Sequence, residues 1–450
     1  MFRMLPVLHQ SFTEKNLKRI FLEKNSKGAF IEGDYFPDVK KLSLKLTKIK
    51  QQIKKHKSRK QTLTINLYES QLKRLYKIKD KIYSERDKKI DLEMKNVSEK
   101  ISNKQFEISI SLGSIIDSKQ TYKISNDAES YFAEKKLQIN IKNECLTKQA
   151  SRDEIIPCLT SILGDNFPKI LIRTDVSSFF ESINHSVLNS FVEESSLSTQ
   201  SKKLIRKILQ QYCILSGNDN GLPRGVGVSA YLSELYMKGF DKKIKELEGL
   251  YFYQRYVDDI IIVVSKPNLN DGNDILDYIK EELNKIILET NESKTHIINT
   301  MSSSNFSIEY LGYKFNKNSS SNVNLSLSGK KITRYRDKIS KSIDNYKSSN
   351  KTDIDVRLLI DRIRFLTGNT KLTNNKGGAF TGIYNSNKWI TDTSPLKGLD
   401  RYLISRINSI TEPTLKRRLS KFKFYDGFNG KEFRSFSAKR IGEITKVWKL

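Results

Sequence analysis

The sequence predicts an α+β fold rather than a series of parallel strands alternating with helices. In the middle of the chain the hydrophobic patterns follow the order strand, helix, helix, β-hairpin, helix. Acidic residues stand at the ends of two strands: Asp175 closes PKILIRTD, and Asp258–Asp259 precede the five β-branched residues Ile260–Val264. Two adjacent carboxylates at the start of a buried strand are unfavourable, because burying a charged group without a partner costs free energy. We therefore infer that these acids serve a function there.

The 450-residue chain is strongly basic. Lysine and arginine total 80 against 51 acidic residues, which gives a net charge of +29. Such a charge attracts phosphate-rich partners, so nucleic acid is the first expectation, although a soluble protein with solvated lysine faces would carry the same charge. Three widely separated cysteines indicate a reducing cytoplasm. The sequence has no long apolar run, so we expect that the protein is neither exported nor inserted into a membrane.

The segment Asp38–Lys100 is predicted to form two amphipathic helices, an antiparallel pair broken near Ser58–Thr64. Apolar residues recur there at spacings of three and four, and lysines occupy the opposite faces. These lysines either clamp nucleic-acid phosphates or only keep a helical hairpin soluble. The pattern leaves both interpretations open.

Further elements follow along the chain, and three domains are predicted: 1–103, a lysine-rich helical extension; 104–315, the catalytic part; and 316–450, a helical C-terminal domain. The predicted elements after Asp175 are a helix from His185 to Cys213, a helix from Ala230 to Leu247, strands Leu250–Tyr256 and Ile260–Ser265, and a helix from Asp274 to Thr290. EYLGYKF is predicted as a strand, and the Ser/Asn-rich stretch Asn316–Gly329 as a hairpin tip or linker.

The three acids predict a metal site. Carboxylates that cluster without compensation repel one another, and burying each would cost several kcal/mol. Two Mg²⁺ ions, or Mn²⁺ in their place, supply the natural counter-charge and are used in phosphoryl transfer. Four scattered histidines offer no zinc-type spacing, so oxygen ligands are expected.

Five short motifs then narrow the fold. DVSSFFESI, GLPRGVGVS, RYVDD, NESKT and EYLGY, in this order between residues 173 and 315, resemble motifs A to E of a reverse transcriptase palm. The resemblance implies the fingers and palm of a right-hand polymerase, with the N-terminal helical hairpin before it and a thumb-like helical domain after it. It further implies an RNA-directed DNA polymerase that uses dNTPs.

The resemblance also assigns catalytic roles. It implies that Asp175 and Asp258 bind both metal ions with the backbone carbonyl of Val176, and that Asp259 supports this metal site. Lys294 would lie near the triphosphate and protonate the pyrophosphate leaving group. Taken alone, Lys294 could equally be a solvated lysine.

Substrate contacts are implied in the same way. Phe180, five residues after Asp175, would pack under the sugar and reject a ribose 2′-hydroxyl, although it could also be a core residue. Nucleotide contacts are further implied for Arg152, Pro223, Gly225 and Ser229, and primer contacts for Tyr310, Leu311, Gly312 and Tyr313.

Segments outside the palm motifs point to a subgroup. LHQSFTEKNLKRIF, NSKGAFIEGDYFP, RIRFLTGNTKL and GIYNSNKW resemble bacterial defence-associated reverse transcriptases, most closely the first, smaller enzyme of type 3 antiphage systems, which is related to the abortive-infection enzymes. That resemblance implies antiphage defence, a companion noncoding RNA as template, and a second reverse transcriptase as partner in a higher-order complex.

Other activities are compatible with the same motifs. A palm fixes the chemistry but not the source of sequence information, so template-independent or protein-primed DNA synthesis is an alternative. A catalytically silent RNA-binding scaffold is a further one, which the intact Asp175, Asp258 and Asp259 argue against. C-terminal aromatic residues among the basic ones either stack on unpaired bases or belong to the core: Tyr384, Trp389, Phe422, Phe424, Tyr425 and Phe428.

Overall fold

The computed structural model describes residues 9–29, 31–58, 65–116, 118–145, 151–265, 272–300, 305–318, 322–372 and 379–448. The chain divides into two compact units. Unit 1 consists of residues 1–148, 178–241 and 284–288, and unit 2 consists of residues 149–177, 242–283 and 289–450. Each unit therefore consists of three stretches of the chain that alternate with those of the other unit. The predicted domain boundaries near residues 103 and 316 stay predictions.

The N-terminal part of unit 1 consists of helices and one β-hairpin. These elements are α1 (Glu14–Ser26), α2 (Ile31–Tyr35), α3 (Pro37–Lys57), α4 (Ile65–Ser102), β1 (Ile110–Ile116), β2 (Lys119–Ile124) and α5 (Ala128–Cys145). Helices α3 and α4 confirm the predicted pair, and residues 59–64, where most of the predicted break falls, lie outside the described residues. Phe36 packs on Phe21 and Phe132, with ring centroids 6.0 Å apart in each pair.

The middle of the chain contributes to both units. Unit 2 receives α6 (Arg152–Gly164), β3 (Ile170–Asp175), β4 (Leu250–Tyr256), β5 (Asp259–Val264) and nearly all of α11 (Asn273–Asn284). Unit 1 receives α7 (Phe179–Ser182), α8 (His185–Glu194), α9 (Thr199–Ser216) and most of α10 (Ser229–Lys245).

Unit 2 continues to the C-terminal end of the described chain. After a short 3-10 helix at Glu292–Lys294 come β6 (His296–Asn299), β7 (Phe306–Tyr310), β8 (Tyr313–Lys317), β9 (Asn324–Leu327), α12 (Gly329–Lys347), α13 (Asp353–Thr367), β10 (Asn369–Lys371), β11 (Phe380–Gly382), α14 (Ser394–Asn408), α15 (Pro413–Leu419), α16 (Phe424–Asn429), β12 (Phe433–Arg434) and α17 (Ala438–Lys446). Within the described ranges, none of the helices combines enough length with enough apolar character to cross a bilayer.

The central sheet of unit 2 has the strand order β4-β5-β3-β6, and every neighbouring pair is antiparallel. Strands β3 and β5 are almost entirely buried, which explains the apolar runs at residues 170–172 and 260–264. A second antiparallel sheet, β7-β8-β9, shares one hydrophobic core with the central sheet and with helices α12 to α16.

Four sequence predictions need correction. The predicted helix His185–Cys213 is two helices, because Ser195 leaves the helical conformation and the side chain of Ser198 caps α9 by accepting from the backbone of Ser201. EYLGYKF is two strands joined at Leu311–Gly312, and the Ser/Asn-rich stretch contains strand β9. The predicted helix Asp274–Thr290 ends earlier, at Asn284.

Candidate active site

The three predicted acids meet at one end of the central sheet of unit 2. β3 ends at Asp175, and β5 begins at Asp259, and the antiparallel register places these two residues directly opposite each other. Opposed residues on neighbouring antiparallel strands project their side chains to the same face. Asp258 lies in the two-residue turn between Tyr256 and Asp259. The structure therefore brings together residues that are 83 and 84 positions apart in the sequence.

The turn that carries Asp258 is held under strain. Val257 has a φ of 62°, a left-handed conformation that β-branched residues rarely adopt. Its carbonyl accepts a hydrogen bond from Nη1 of Arg255 at 2.8 Å, and the backbone N–H of Val176 donates to the carbonyl of Asp258 at 3.2 Å. Such strain persists only where surrounding contacts enforce it, and it is typical of functional turns.

Basic side chains of the same unit neutralise two of the acids. Nζ of Lys294 donates to Oδ2 of Asp175 at 2.9 Å, and Nη2 of Arg173 donates to Oδ1 of Asp259 at 3.0 Å. Lys294 ends the short 3-10 helix that follows Asn291, whose backbone N–H donates to the carbonyl of Asp175 at 2.7 Å. Lys294 therefore lies at the acidic end of the sheet, and its predicted position near a triphosphate stays a prediction.

Asp258 is electrostatically the least favourable of the three acids. Burial raises the pKa of its carboxyl above the ordinary value, and the negative charge of Asp175 raises it further. Asp259 acts in the same direction, whereas Lys294 opposes the shift. A carboxylate under such repulsion gains free energy from any cation that approaches it.

The donor chemistry fits a hard divalent cation. Mg²⁺ commonly takes one or two carboxylates and completes its shell with substrate oxygens and water, and Asp175 and Asp258 supply two carboxylates close enough to perturb each other. With the side chains as placed, the described residues contain no group of three or more His, Cys, Asp or Glu arranged around a metal position. The predicted role of the buried Val176 carbonyl stays a prediction.

The turn between β7 and β8 lines a cavity together with one of the three acids, Asp259. Leu311 and Gly312 have φ values of 48° and 81°, as a two-residue hairpin turn requires. Both residues line a cavity of about 930 Å³ whose wall also includes Asp259 and Lys294. The flanking Tyr310 and Tyr313 are buried, and the predicted primer contacts of all four residues stay predictions.

In unit 1, the two adjacent phenylalanines of the first motif have different surroundings. Phe179 is buried in the core, whereas Phe180 is half-buried and its ring lies 5.1 Å from the guanidinium of Arg224. The carbonyl of Phe180 accepts from the backbone N–H of Leu222 at 2.7 Å. The half-exposed ring is compatible with the predicted contact to a sugar, which stays a prediction.

The loop with the sequence GLPRGVGVS, in unit 1, is shaped by contacts of Pro223, Gly225 and Ser229. Gly225 has a φ of 93°, and a Cβ there would lie 2.7 Å from the carbonyl oxygen of Tyr122. Oγ of Ser229 donates to the carbonyl of Pro223 at 2.8 Å and so closes the loop onto the start of α10. These contacts give the three residues structural roles, and their predicted contact with a nucleotide stays a prediction.

Sequence reasoning missed a charged cluster beside this loop. Glu181 accepts hydrogen bonds from Nε and Nη2 of Arg224 at 2.6 and 2.9 Å and from Nζ of Lys119 at 3.2 Å. Burial acts to raise the pKa of Glu181, but the bonds from Arg224 and Lys119 outweigh it and lower the pKa. These residues line a cavity of about 390 Å³, and the arginine inside GLPRG was the signal available.

Arg152 begins α6 in unit 2. Its Nη2 donates to the carbonyl of Ser386 at 3.0 Å, and its guanidinium lies 5.7 Å from the ring centroid of Tyr313. Arg152 also lines the cavity of about 930 Å³. Its predicted contact with a triphosphate stays a prediction.

Comparison with known protein families decides the identity. The family described as reverse transcriptase (RNA-dependent DNA polymerase) matches residues 70–315, which is more than half of the chain. This chain belongs to the reverse transcriptase family. The matched segment contains Asp175, Asp258 and Asp259, and the predicted α+β reverse transcriptase fold is confirmed.

Solved structures similar to this reverse transcriptase include fungal telomerases. Apo telomerase from Candida tropicalis is 14% identical, with 77% of this chain and 62% of that chain covered and a TM-score of 0.38. Telomerase from Candida albicans in complex with a TWJ fragment of telomeric RNA is 12% identical, with 78% and 66% covered and a TM-score of 0.35. The chain thus spans about two thirds of the length of these telomerases or less. No curated protein sequence matches it significantly.

The C-terminal aromatic residues of this reverse transcriptase belong to the core of unit 2. Phe424 and Phe428 are buried, and the remaining four rings pack against the same cluster while partly exposed: Tyr384, Trp389, Phe422 and Tyr425. Core packing is therefore confirmed for Phe424 and Phe428, whereas base stacking by the four partly exposed rings stays a prediction.

Proposed function

We propose that this chain is an RNA-directed DNA polymerase that adds dNTPs to a primer by two-metal chemistry. The observation that carries the proposal is the strand register that sets Asp175 opposite Asp259, with Asp258 in the adjoining strained turn. Carboxylates in this arrangement are suited to bind the metal ions that catalyse phosphoryl transfer. The net charge of +29 would attract the phosphate-bearing substrates of such a reaction.

Asp175 and Asp258 would hold two Mg²⁺ ions, with Mn²⁺ as a substitute, and the carbonyl of Val176 would add a further oxygen. When bound, the ions supply positive charge to the phosphates during transfer. Asp259 would support the site from its ion pair with Arg173. Lys294, whose Nζ lies 2.9 Å from Oδ2 of Asp175, would donate a proton to the pyrophosphate leaving group.

The substrate contacts belong to the same proposal. Phe180 would exclude the ribose 2′-hydroxyl, and the Leu311–Gly312 turn, anchored by the buried Tyr310 and Tyr313, would position the primer end. Nucleotide contacts are proposed for Arg152, Pro223, Gly225 and Ser229.

We further propose that the template is a companion noncoding RNA and that the enzyme acts in bacterial antiphage defence in the cytoplasm. Support comes from the resemblance of the N- and C-terminal segments to defence-associated reverse transcriptases and from the basic net charge. A second reverse transcriptase, in a higher-order complex, is the partner that the resemblance implies.

The decisive experiment neutralises the least favourable carboxylate. Asp258→Asn keeps the side-chain shape but removes a metal ligand, so dNTP addition should fall by at least ~1,000-fold. Because the charge of Asp258 is unfavourable, the variant should be at least as stable to urea at pH 7 as the wild type. Asp277→Asn, the same change at an exposed position of α11, is the control and should retain full activity.

Labelled dNTPs are supplied one at a time to the purified protein, with its copurifying RNA and after ribonuclease treatment, and the products are sequenced. Products complementary to the RNA, lost on treatment, support the proposal. Products that persist without RNA would indicate template-independent or protein-primed synthesis. Addition by Asp258→Asn within tenfold of wild type would refute the metal assignment, and no addition by either protein would favour a scaffold.

A further inference from the structure

The side chain of Phe180, in unit 1, has an aromatic ring and a cation as neighbours. The ring of Phe179 is 5.8 Å away, centroid to centroid, in an edge-on arrangement. The guanidinium of Arg224 lies 5.1 Å from the centroid of the Phe180 ring. Because Phe180 is only half-buried, core packing holds it on part of its surface, and the attraction between ring and cation adds to that hold.

The cation is itself held by a carboxylate. Nε and Nη2 of Arg224 donate to the two carboxylate oxygens of Glu181 at 2.6 and 2.9 Å, and Nζ of Lys119 donates to the same carboxylate at 3.2 Å. A bidentate pair fixes the plane of a guanidinium as well as its position. Glu181 directly follows Phe180, so the ring and the carboxylate that holds its cation belong to the same short helix, α7.

The loop with the sequence GLPRGVGVS is attached to α7 through its backbone. The N–H of Leu222 donates to the carbonyl of Phe180 at 2.7 Å, and the N–H of Gly221 donates to the carbonyl of Ile183 at 2.8 Å. A Cβ at Gly221 would lie 3.2 Å from the Cα of Glu181, so the two main chains are already in close contact. The side-chain ion pair therefore contributes something besides attachment, which is a fixed cation at the aromatic ring.

The position of a ring matters when the ring acts by steric exclusion. A ribose differs from a deoxyribose by one hydroxyl group, and a displacement of about 1 Å in a positioned group is enough to change reaction rates strongly. Phe180 is the residue proposed above to exclude this hydroxyl. A ring that moves would leave room for the hydroxyl part of the time, so whatever holds the ring also sets the strictness of the exclusion.

We propose that Glu181 and Arg224 are positioning residues for the ring of Phe180 and thereby determine how strictly ribonucleotides are excluded. This role rests on the proposed polymerase function, in which Phe180 contacts the sugar. Both residues act through the ring and not through a contact of their own with the nucleotide. Loss of the pair should therefore change the choice between dNTP and rNTP more than the rate of dNTP addition.

The test compares kcat/KM for a dNTP with kcat/KM for the rNTP of the same base, on one primer–template. Arg224→Met removes the cation, and Arg224→Lys restores a cation without the bidentate pair. The matched control is Arg206→Met, which removes the exposed ion pair between Arg206 and Glu193 in the same unit. Phe180→Val, alone and combined with Arg224→Met, shows whether the effect passes through the ring.

Arg224→Met should lower the ratio of the dNTP value to the rNTP value by about three- to tenfold, mainly through a higher kcat/KM for the rNTP. Arg224→Lys should lower the ratio by about twofold or less, because a cation remains at the ring. Arg206→Met should leave the ratio unaltered. In the Phe180→Val background Arg224→Met should have no further effect, since the ring on which it acts is gone.

The outcomes separate this role from the proposed function. If Phe180→Val leaves the ratio unaltered, the sugar contact of the proposed function fails and the positioning role fails with it. If Phe180→Val lowers the ratio, the sugar contact stands. The positioning role alone is then overturned if Arg224→Met leaves the ratio unaltered or lowers it equally in both backgrounds. Equal losses of kcat/KM for both nucleotides would mean that the ion pair only stabilises the loop.

A second measurement does not depend on polymerisation. 4-Fluorophenylalanine is incorporated at position 180 of the full chain, and its fluorine resonance is followed by NMR. Arg224→Met should shift or broaden this resonance, because the ring loses a neighbour that holds it, whereas Arg206→Met should leave it unchanged. An unchanged resonance in Arg224→Met would overturn the proposal. If Arg224→Met does not fold, Glu181→Gln, which keeps the side-chain shape but removes the charge of the bidentate acceptor, replaces it in both measurements.

Discussion

Arg224 of unit 1 and Lys331 of unit 2 both line cationic cavities, but their charges are balanced differently. Arg224 and Lys119 share Glu181, with nitrogen–oxygen distances of 2.6 to 3.2 Å. Lys331 and Arg152 instead share the carbonyl oxygen of Ser386 and the ring of Tyr313. Both line a cavity of about 280 Å³ in unit 2, the cationic pocket, and no acid is among its lining residues. In the cavity of unit 1 a carboxylate therefore compensates the positive charge, whereas in the cationic pocket no carboxylate does so.

The presence of a carboxylate in one cavity and its absence from the other indicate how each cavity would respond to an anionic ligand. Glu181 holds Arg224 in place before any phosphate arrives, so an incoming anion must compete with an existing bidentate ion pair. In the cationic pocket an anion relieves repulsion that is already present, so binding there should be more sensitive to pH and salt. The following predictions test this contrast, from the largest expected effect to the smallest.

Phe180→Val tests whether the cavity region of unit 1 handles the nucleotide. The half-buried ring beneath Arg224 would no longer clash with a 2′-hydroxyl, so the preference for dNTP over rNTP should fall by about 10- to 200-fold. The ratio of the two kcat/KM values measures this. Phe179→Leu, a change at the buried neighbour, should leave the ratio unaltered. An unaltered ratio in Phe180→Val would make both rings structural.

Lys331→Met tests the electrostatic state of the cationic pocket. The pKa of Lys331 is lowered to about 7 by burial and by Arg152 and Arg334, so the folded protein binds this proton less tightly than the unfolded chain. Its contribution to the free energy of unfolding should therefore rise as pH increases from about 7 towards the unfolded value. Between pH 6 and pH 9 the wild type should gain about 2–3 kcal/mol relative to the variant.

Urea titrations at several pH values measure this difference, with Lys341→Met, a change at an exposed lysine of the same helix, as the control. A difference between wild type and Lys331→Met that stays constant over the same pH range would mean that Lys331 is not destabilised by its neighbours. The contrast between the two cavities would then be lost.

The smallest effect concerns the compensated cavity. A double-mutant cycle with Arg224→Ala and Glu181→Ala should give a coupling energy of about 1 kcal/mol, because the pair is bidentate but partly exposed to solvent. The cycle for the exposed pair of Glu23 on α1 and Lys27 at the C-cap of that helix should give less than half of that value. Coupling energies that are equal in both cycles would indicate that Glu181 does not hold Arg224 in place.

Local patterns predicted much of the fold. The periodicity of Asp38–Lys100 predicted α3 and α4, because burial of one helix face imposes a period on the sequence itself. The apolar run after Asp259 predicted β5 of the hairpin, because this strand is buried on both faces. The misses were also local in origin. Ser195 and Ser198 offered the backbone alternative hydrogen bonds and divided the predicted helix, and Leu311–Gly312 formed a tight turn inside a short apolar run.

The sequence by itself determined the acidic residues and their motif order, because carboxylates next to buried strands are unfavourable unless a cation compensates their charge. Only the tertiary structure decided which charges meet. The register of β3 and β5 sets Asp175 opposite Asp259, and the packing of unit 2 brings Arg152 and Lys331 to the carbonyl of Ser386 from positions far apart in the chain. A single sequence carries no periodic signal for such encounters, since the free energy of bringing distant charges together depends on the whole packed core and not on neighbouring residues.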